Sequence, residues 1–218
     1  MNLKDVNLYR MTHIDNIPHI LQYGITHKNS PNANPNFVSI GDVSLINTRD
    51  QKQVTVDNGD FLNLGAPLIT LGDYIPFYFG VRMPMLYVIQ NGGNFVMHPT
   101  APDNIVYLAC PILQIIKNQT IYYFSDGHGT DNYTTFYDHT KINDLTDIID
   151  WNAVKAPYWS GQENLNVKRK KQAEFLALAD INPGLVTGYG CYNDTAKQKL
   201  IGYGIKAEHI KIIPQAYY

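Results

Sequence analysis

Between Leu8 and Ile25 the chain reads LYRMTHIDNIPHILQYGI, and no other stretch constrains its fold as tightly. A short apolar, partly aromatic run ends in His13, and a compact amphipathic helix follows at once. Asp15 or Asn16 is expected to cap that helix, and Pro18 falls in its first turn, where a missing N–H costs nothing. Ile17, Ile20 and Leu21 recur at helical spacing, and Gly24 supplies the left-handed stop. Strand, histidine, short helix and glycine must therefore follow one another within a few residues. A lone histidine in such a place is more often a surface or satisfied core residue than a ligand.

The 218 residues suit a single α+β domain spanning residues 1–218. The apolar share is ordinary, tyrosine is abundant at 16 residues, and the formal charge is −2, so a packed core is expected and disorder is not. No apolar run reaches membrane-spanning length, and the N-terminus MNLKDVNLYR lacks the apolar segment of a signal peptide, which makes the cytoplasm the default address. The two cysteines, Cys110 and Cys191, lie among apolar or aromatic neighbours without CxxC spacing and read as buried free thiols. The charge is unevenly placed. Lys168, Arg169, Lys170 and Lys171 are consecutive, whereas Asp138, Asp144, Asp147 and Asp150 cluster upstream.

Residues 26–72 look loop-rich, with short runs at Phe37–Ile40 and Val54–Val56 between Asn, Pro, Gly and Asp. Residues 73–89 read as a buried strand, a turn and the start of another element. Ile105–Cys110 is the clearest core strand, and Thr120–Phe124 is a second. Asn143–Val154 predicts one short helix, Val167–Ala179 a strand or helix entry, and Leu185–Tyr192 a strand. A helix over Thr195–Tyr203 and a last strand over His209–Ile213 complete the chain. Many short strands with few helices predict a mixed or antiparallel sheet.

Read by itself, Glu174 has two equal readings. It is either a solvated helix residue beside Lys170 and Lys171, or, given Ala173, Phe175 and Leu176, a carboxylate at the edge of a core element. Strand alternation turns Tyr78 away from Phe77 and Phe79, so only one of these sets can line a pocket, and Tyr78 is the residue expected there. His128 lies in the glycine-rich SDGHGTDNY segment, where no second His or Cys stands at ligand spacing. Arg49 falls in the irregular stretch, where a solvated role is the plain alternative to a functional one.

Three separated segments together resemble one family. They are YRMTHIDNIPHILQYGI; IGDVSLINTR followed by DYIPFYFGVRMPMLY; and SDGHGTDNYTTFYD paired with RKKQAEFL. In order and spacing, over about residues 8–213, they are similar to the DarT family of DNA ADP-ribosyltransferase toxins. The resemblance implies an ADP-ribosyltransferase fold: a split, mixed or antiparallel central sheet with flanking helices and an NAD cleft. It implies cleavage of the nicotinamide–ribose bond of NAD, consumed as a substrate without any metal, and transfer of ADP-ribose to a thymine or guanine of single-stranded DNA. Glu174 would be the catalytic carboxylate that stabilises the ribosyl cation. Arg49 would stand beside the target base. His13, with the backbone of Thr12 and Ile14, would hold the nicotinamide, and Tyr78 would wall its ring. His128, Tyr158, Trp159, Lys168, Arg169 and Lys171 would contact DNA by stacking and by phosphate pairing. The implied partner is a macrodomain antitoxin, DarG, that strips the modification. The readings left open are a transferase acting on protein or RNA, and an inactive nucleic-acid-binding module of the same fold.

Overall fold

The structure, a computed structural model, describes residues 2–93, 96 and 98–218. In chain order its elements are β1 (Asn7–His13), α1 (Ile17–Tyr23), α2 (Val43–Gln51), β2 (Gln53–Thr55), β3 (Leu68–Thr70), β4 (Ile75–Tyr78) and α3 (Pro84–Asn91). There follow β5 (Ile105–Pro111), α4 (Ile112–Asn118), β6 (Tyr122–Ser125), β7 (Phe136–Tyr137), α5 (Leu145–Ile148), α6 (Trp151–Lys155) and α7 (Leu165–Lys170). The chain ends with β8 (Glu174–Ala177), β9 (Gly188–Cys191), α8 (Asp194–Gly202) and β10 (Ile210–Ile212). Eight strands form one sheet in the order β10-β9-β5-β1-β4-β8-β6-β7, and β2 pairs with β3 apart from it. All pairings are antiparallel except β10 with β9. This is the split, mixed α+β sheet expected.

The split has a local cause. β1 pairs with β5 along its whole length, from Asn7 opposite Pro111 to His13 opposite Ile105, but meets β4 in register only at Tyr9 and Tyr78. In a strand, a residue's N–H and C=O point to the same side. The Pro76 carbonyl faces β1, because the Arg10 guanidinium donates to it at 2.8 Å. The missing N–H of Pro76 therefore lies on that side too, and the ladder cannot continue past it. A cleft opens between β1 and β4.

Around it, Leu8, Ile14, Ile17, Phe77, Phe124 and Phe175 are fully buried in the main core. Each such side chain contributes roughly 1.5–3 kcal/mol by leaving water. Phe77 and Phe79 face this core while Tyr78 does not, as alternation requires. Cys110 and Cys191 are buried free thiols.

Three local readings are corrected. Neither Asp15 nor Asn16 caps α1 through its side chain. His13 Nδ1 instead accepts the Asp15 N–H at 3.2 Å, capping a preceding 3-10 turn. The Asn16 amide donates to Thr12 Oγ1 and the Val38 carbonyl, and its oxygen accepts the Val38 N–H, which pins the 26–40 segment to the end of β1. Second, residues 43–51 of the loop-rich stretch form α2, and Arg49 sits on this helix. It buries no residue and carries Ser, Asn, Thr and Asp, so no apolar period announced it; Asp42 starts it by accepting the Leu45 N–H. Third, the helix predicted over 143–154 is two, α5 and α6, because Asp150 breaks off to cap the second. The glycine stop is as read: Gly24 has φ +83°, and a Cβ there would overlap the Ile181 carbonyl.

Candidate active site

Glu174 opens β8, directly opposite Tyr78 at the end of β4, and Tyr78 in turn stands opposite Tyr9. Glu174 is wholly buried. Its backbone N–H donates to Ser125 Oγ, whose hydroxyl donates to the Gly127 carbonyl, so the glycine-rich turn is fastened to the start of β8. That turn brings the Gly129 N–H to Glu174 Oε1 at 2.9 Å. From the other side α2 delivers Arg49, with Nη2 at 2.7 Å from Oε2. Arg49 Nε and Nη2 and Glu174 Oε2 are all buried and left with unfilled hydrogen-bonding capacity. Such groups are costly unless a ligand completes them.

The electrostatics follow from this crowding. Burial pulls the Arg49 guanidinium down, but Glu174, Tyr78 and Asp50 together outweigh it and the net shift is upward. Burial, then the Glu174 charge, raises the Tyr78 hydroxyl well above its usual range, so it stays protonated. Burial lowers His128, which holds its imidazole neutral near pH 7.

Three adjoining cavities wrap around α2. One of about 340 Å³ lies between the α1 end and α2, and one of about 170 Å³ sits at Arg49 and Tyr78. Both are bordered by Arg10, Thr12 and Arg49. The third, about 620 Å³, shares Asp42, Leu45, Met85 and His128 with the second and continues past Trp159 and Lys168. Glu174 itself lines none of the three; it lies directly behind Arg49, which borders two of them. A long cleft with a guanidinium at its waist and a carboxylate immediately behind it can hold an extended ligand on one side and an acceptor on the other.

The expected residues divide. Arg49, Thr12, Tyr78 and His128 come together at the waist, with Glu174 buried behind Arg49 and opposite Tyr78. His13 and Ile14 do not bring their side chains there: alternation turns the His13 ring toward Asp15, and Ile14 is buried in the main core, leaving only their main chain. His128, Trp159, Lys168 and Arg169 line the large cavity, whereas Tyr158 is exposed and lines none of the three. The basic run is mostly committed elsewhere. Arg169 grips Asp126 with two hydrogen bonds, Lys170 pairs with Asp150, and Lys171 is buried with Nζ on the Val154 carbonyl. Lys171 therefore lies outside the large cavity, because the turn after α7 points it into the protein. Lys168 alone of the four faces the cavity without a carboxylate among the described residues, its Nζ 5.6 Å over the Trp159 ring.

Sequence reasoning missed Arg10, Gly129 and Tyr133. Arg10 is a cation in the middle of an apolar strand, which is a readable anomaly. Tyr133 is 86% exposed at the mouth of the large cavity. Gly129 left no trace beyond its neighbouring glycine.

Residues 9–218 match the family described as ssDNA thymidine ADP-ribosyltransferase, DarT. A DNA ADP-ribosyl transferase of Thermus sp. (strain 2.9) is 30% identical over 89% of this chain and 85% of the relative. The structure of Thermus sp. 2.9 DarT in complex with ADP-ribosylated ssDNA superposes with a TM-score of 0.78 at 26% identity, covering 98% and 96% of the two chains. The same protein in complex with NAD+ gives 0.74 at 25% identity over the whole of both. A DNA ADP-ribosyl transferase–DNA ADP-ribosyl glycohydrolase fusion protein of Thermosipho africanus is 27% identical over 83% of this chain and 41% of its own length.

Proposed function

The chain belongs to the DarT family, and from that premise we propose which residues carry the reaction and which base receives it. The enzyme breaks the nicotinamide–ribose bond of NAD+ and transfers ADP-ribose to single-stranded DNA. We take the base to be thymine, following the family's description. The observation that carries the assignment of residues is the buried Glu174 carboxylate, 2.7 Å behind the Arg49 guanidinium that borders the cleft, with hydrogen-bonding capacity unfilled on both.

In this reading the dinucleotide occupies the Thr12–Arg49–Tyr78 side and the strand occupies the His128–Trp159 side. As the C–N bond to nicotinamide breaks, its electron pair leaves with neutral nicotinamide, and positive charge develops on the ribose. Glu174, already fixed by Gly129, accepts a ribose hydroxyl and stabilises that charge without reorganising. Thymine offers one ionisable N–H, at N3. Arg49 favours the anion formed when that proton leaves, and neutral His128, whose ring lines both cavities, accepts it. N3 then closes the new bond to the ribose C1.

We place the protein in the cytoplasm with its DNA substrate, as the toxin of a pair whose antitoxin is a macrodomain glycohydrolase; the Thermosipho fusion joins those two activities in one chain. The test is mass spectrometry of single-stranded oligonucleotides incubated with NAD+. Strands containing thymidine should gain one ADP-ribose on a base and release one nicotinamide, and strands without it should not. Modification of guanine, or of a protein or RNA alone, overturns the reading.

A further inference from the structure

A fourth cavity, of about 390 Å³, lies behind the loop that carries Trp159. Three cations, Arg82, Lys155 and Lys171, line it against a single acidic residue, Asp5, among the described residues. Lys171 is 3% exposed and donates to the Val154 carbonyl at 2.8 Å, with no carboxylate paired to it among the described residues. Arg82 likewise has no carboxylate partner among the described residues. Its Nε donates to the Tyr217 carbonyl, and its guanidinium lies 4.6 Å over the Tyr218 ring. Burial, and then the neighbouring Arg82, pull the Lys171 ammonium down to about 8. Arg82 also holds a left-handed backbone, φ +55°, which a non-glycine residue adopts at a cost. Two neighbouring cations, one of them buried, that share a cavity with a single carboxylate and pair with none among the described residues are unfavourable unless an anion completes them.

The cavity shares no lining residue with the Arg49 side of the cleft, but it is separated from the large cavity by very little chain. Arg82 lines one and Pro84 the other; so do Pro157 and Trp159, and so do Lys171 and its neighbour Gln172. At most one residue stands between the lining residues at each of these places, so they lie no more than about 7 Å apart along the backbone. One nucleotide of an extended strand bridges such a gap. We propose that this cavity is a subsite for a backbone phosphate of the DNA strand next to the target base, held by Lys171 and Arg82. It rests on the transferase reading above.

The test uses the full chain and a single-stranded oligonucleotide that the wild type modifies, synthesised with one uncharged methylphosphonate at each position in turn. One substitution near the target base should weaken wild-type binding about 10- to 100-fold, the range of a hydrogen bond to a charged group. Against Lys171→Met the same substitution should cost nothing further. Lys171→Met and Arg82→Gln should each flatten the salt dependence of binding by roughly 0.7 in log–log slope. Melting curves check that both variants fold, and NAD+ titration should find its affinity unchanged. Full sensitivity to every methylphosphonate in both variants overturns the subsite. A selective loss of NAD+ affinity overturns it too, by giving the cavity to the dinucleotide. A wild type that modifies no strand overturns the functional reading, and the subsite with it.

Discussion

Arg49 Nη2 stands 2.7 Å from Glu174 Oε2, in a pair whose carboxylate is fully buried and whose guanidinium is nearly so. The contact holds the two groups together without satisfying them, since Oε2 and two of the Arg49 nitrogens keep free hydrogen-bonding capacity. Glu174→Gln keeps an acceptor for the Gly129 N–H but removes the charge facing the ribose. Transfer should fall about 100- to 1000-fold. Single-turnover modification of an oligonucleotide at saturating NAD+ measures it, and a near-normal rate from the folded variant removes Glu174 from the reaction.

Arg49→Ala strands a buried carboxylate, so stability should drop by about 3–5 kcal/mol. The double variant Arg49→Ala/Glu174→Gln should recover much of that loss, because no unpaired charge remains. The same single variant should lose base modification more than NAD+ affinity. If affinity collapses while transfer at saturating NAD+ stays normal, Arg49 serves the dinucleotide and not the acceptor.

Gly129 is where the carboxylate is held from its other side. A Cβ there would stand 3.0 and 3.1 Å from the two Glu174 oxygens and 3.2 Å from Arg49 Nη1. The side chains must yield by a few tenths of an ångström. Gly129→Ala should therefore lower kcat about 10- to 100-fold through misplacement, with KM for NAD+ and the melting temperature little changed. An unaltered kcat would show that the carboxylate tolerates displacement.

Much of this was readable from the chain, and what was not had physical reasons. The β1–α1 corner was legible because Pro18 and Gly24 are bound to specific backbone geometries. Alternation alone sorted Tyr78 from Phe77 and Phe79. α2 was invisible because it buries nothing, and with it went the knowledge that Arg49 stands on a helix. The basic run misled for the opposite reason. Four consecutive cations read as one charged surface, yet a turn scatters them, and tertiary partners at Asp126, Asp150 and Val154 take up three. No local pattern encodes partners that lie elsewhere in the chain.

That scattering separates the basic residues experimentally. Lys168→Ala should flatten the salt dependence of strand binding by roughly 0.7 with little change in melting temperature. Arg169→Ala should chiefly destabilise, since it leaves Asp126 unpaired beside Thr134. Tyr133→Ala, at an exposed ring on the cavity mouth, should weaken binding by about 1–3 kcal/mol through the loss of base stacking. Strand affinities at two salt concentrations, beside a melting curve for each variant, sort the three. A salt slope unchanged in Lys168→Ala takes the large cavity away from the strand.

Lys171 gives the fold a pH signature of its own. Its folded-state value of about 8 lies below the ordinary 10.5 that the unfolded chain recovers. Between those values the unfolded state binds more protons, so this group's contribution to stability rises with pH across that window. Below about pH 8 the ammonium is charged in both states and the contribution is flat. Denaturant unfolding of the wild type and Lys171→Met from pH 7 to 10.5 isolates the effect, because the buried tyrosines are common to both and cancel in the difference. The wild type should gain on the variant as pH rises. A constant difference would mean that Lys171 titrates normally and is not desolvated. A phosphate seated on Lys171 favours the charged form, so an added oligonucleotide should move the window upward.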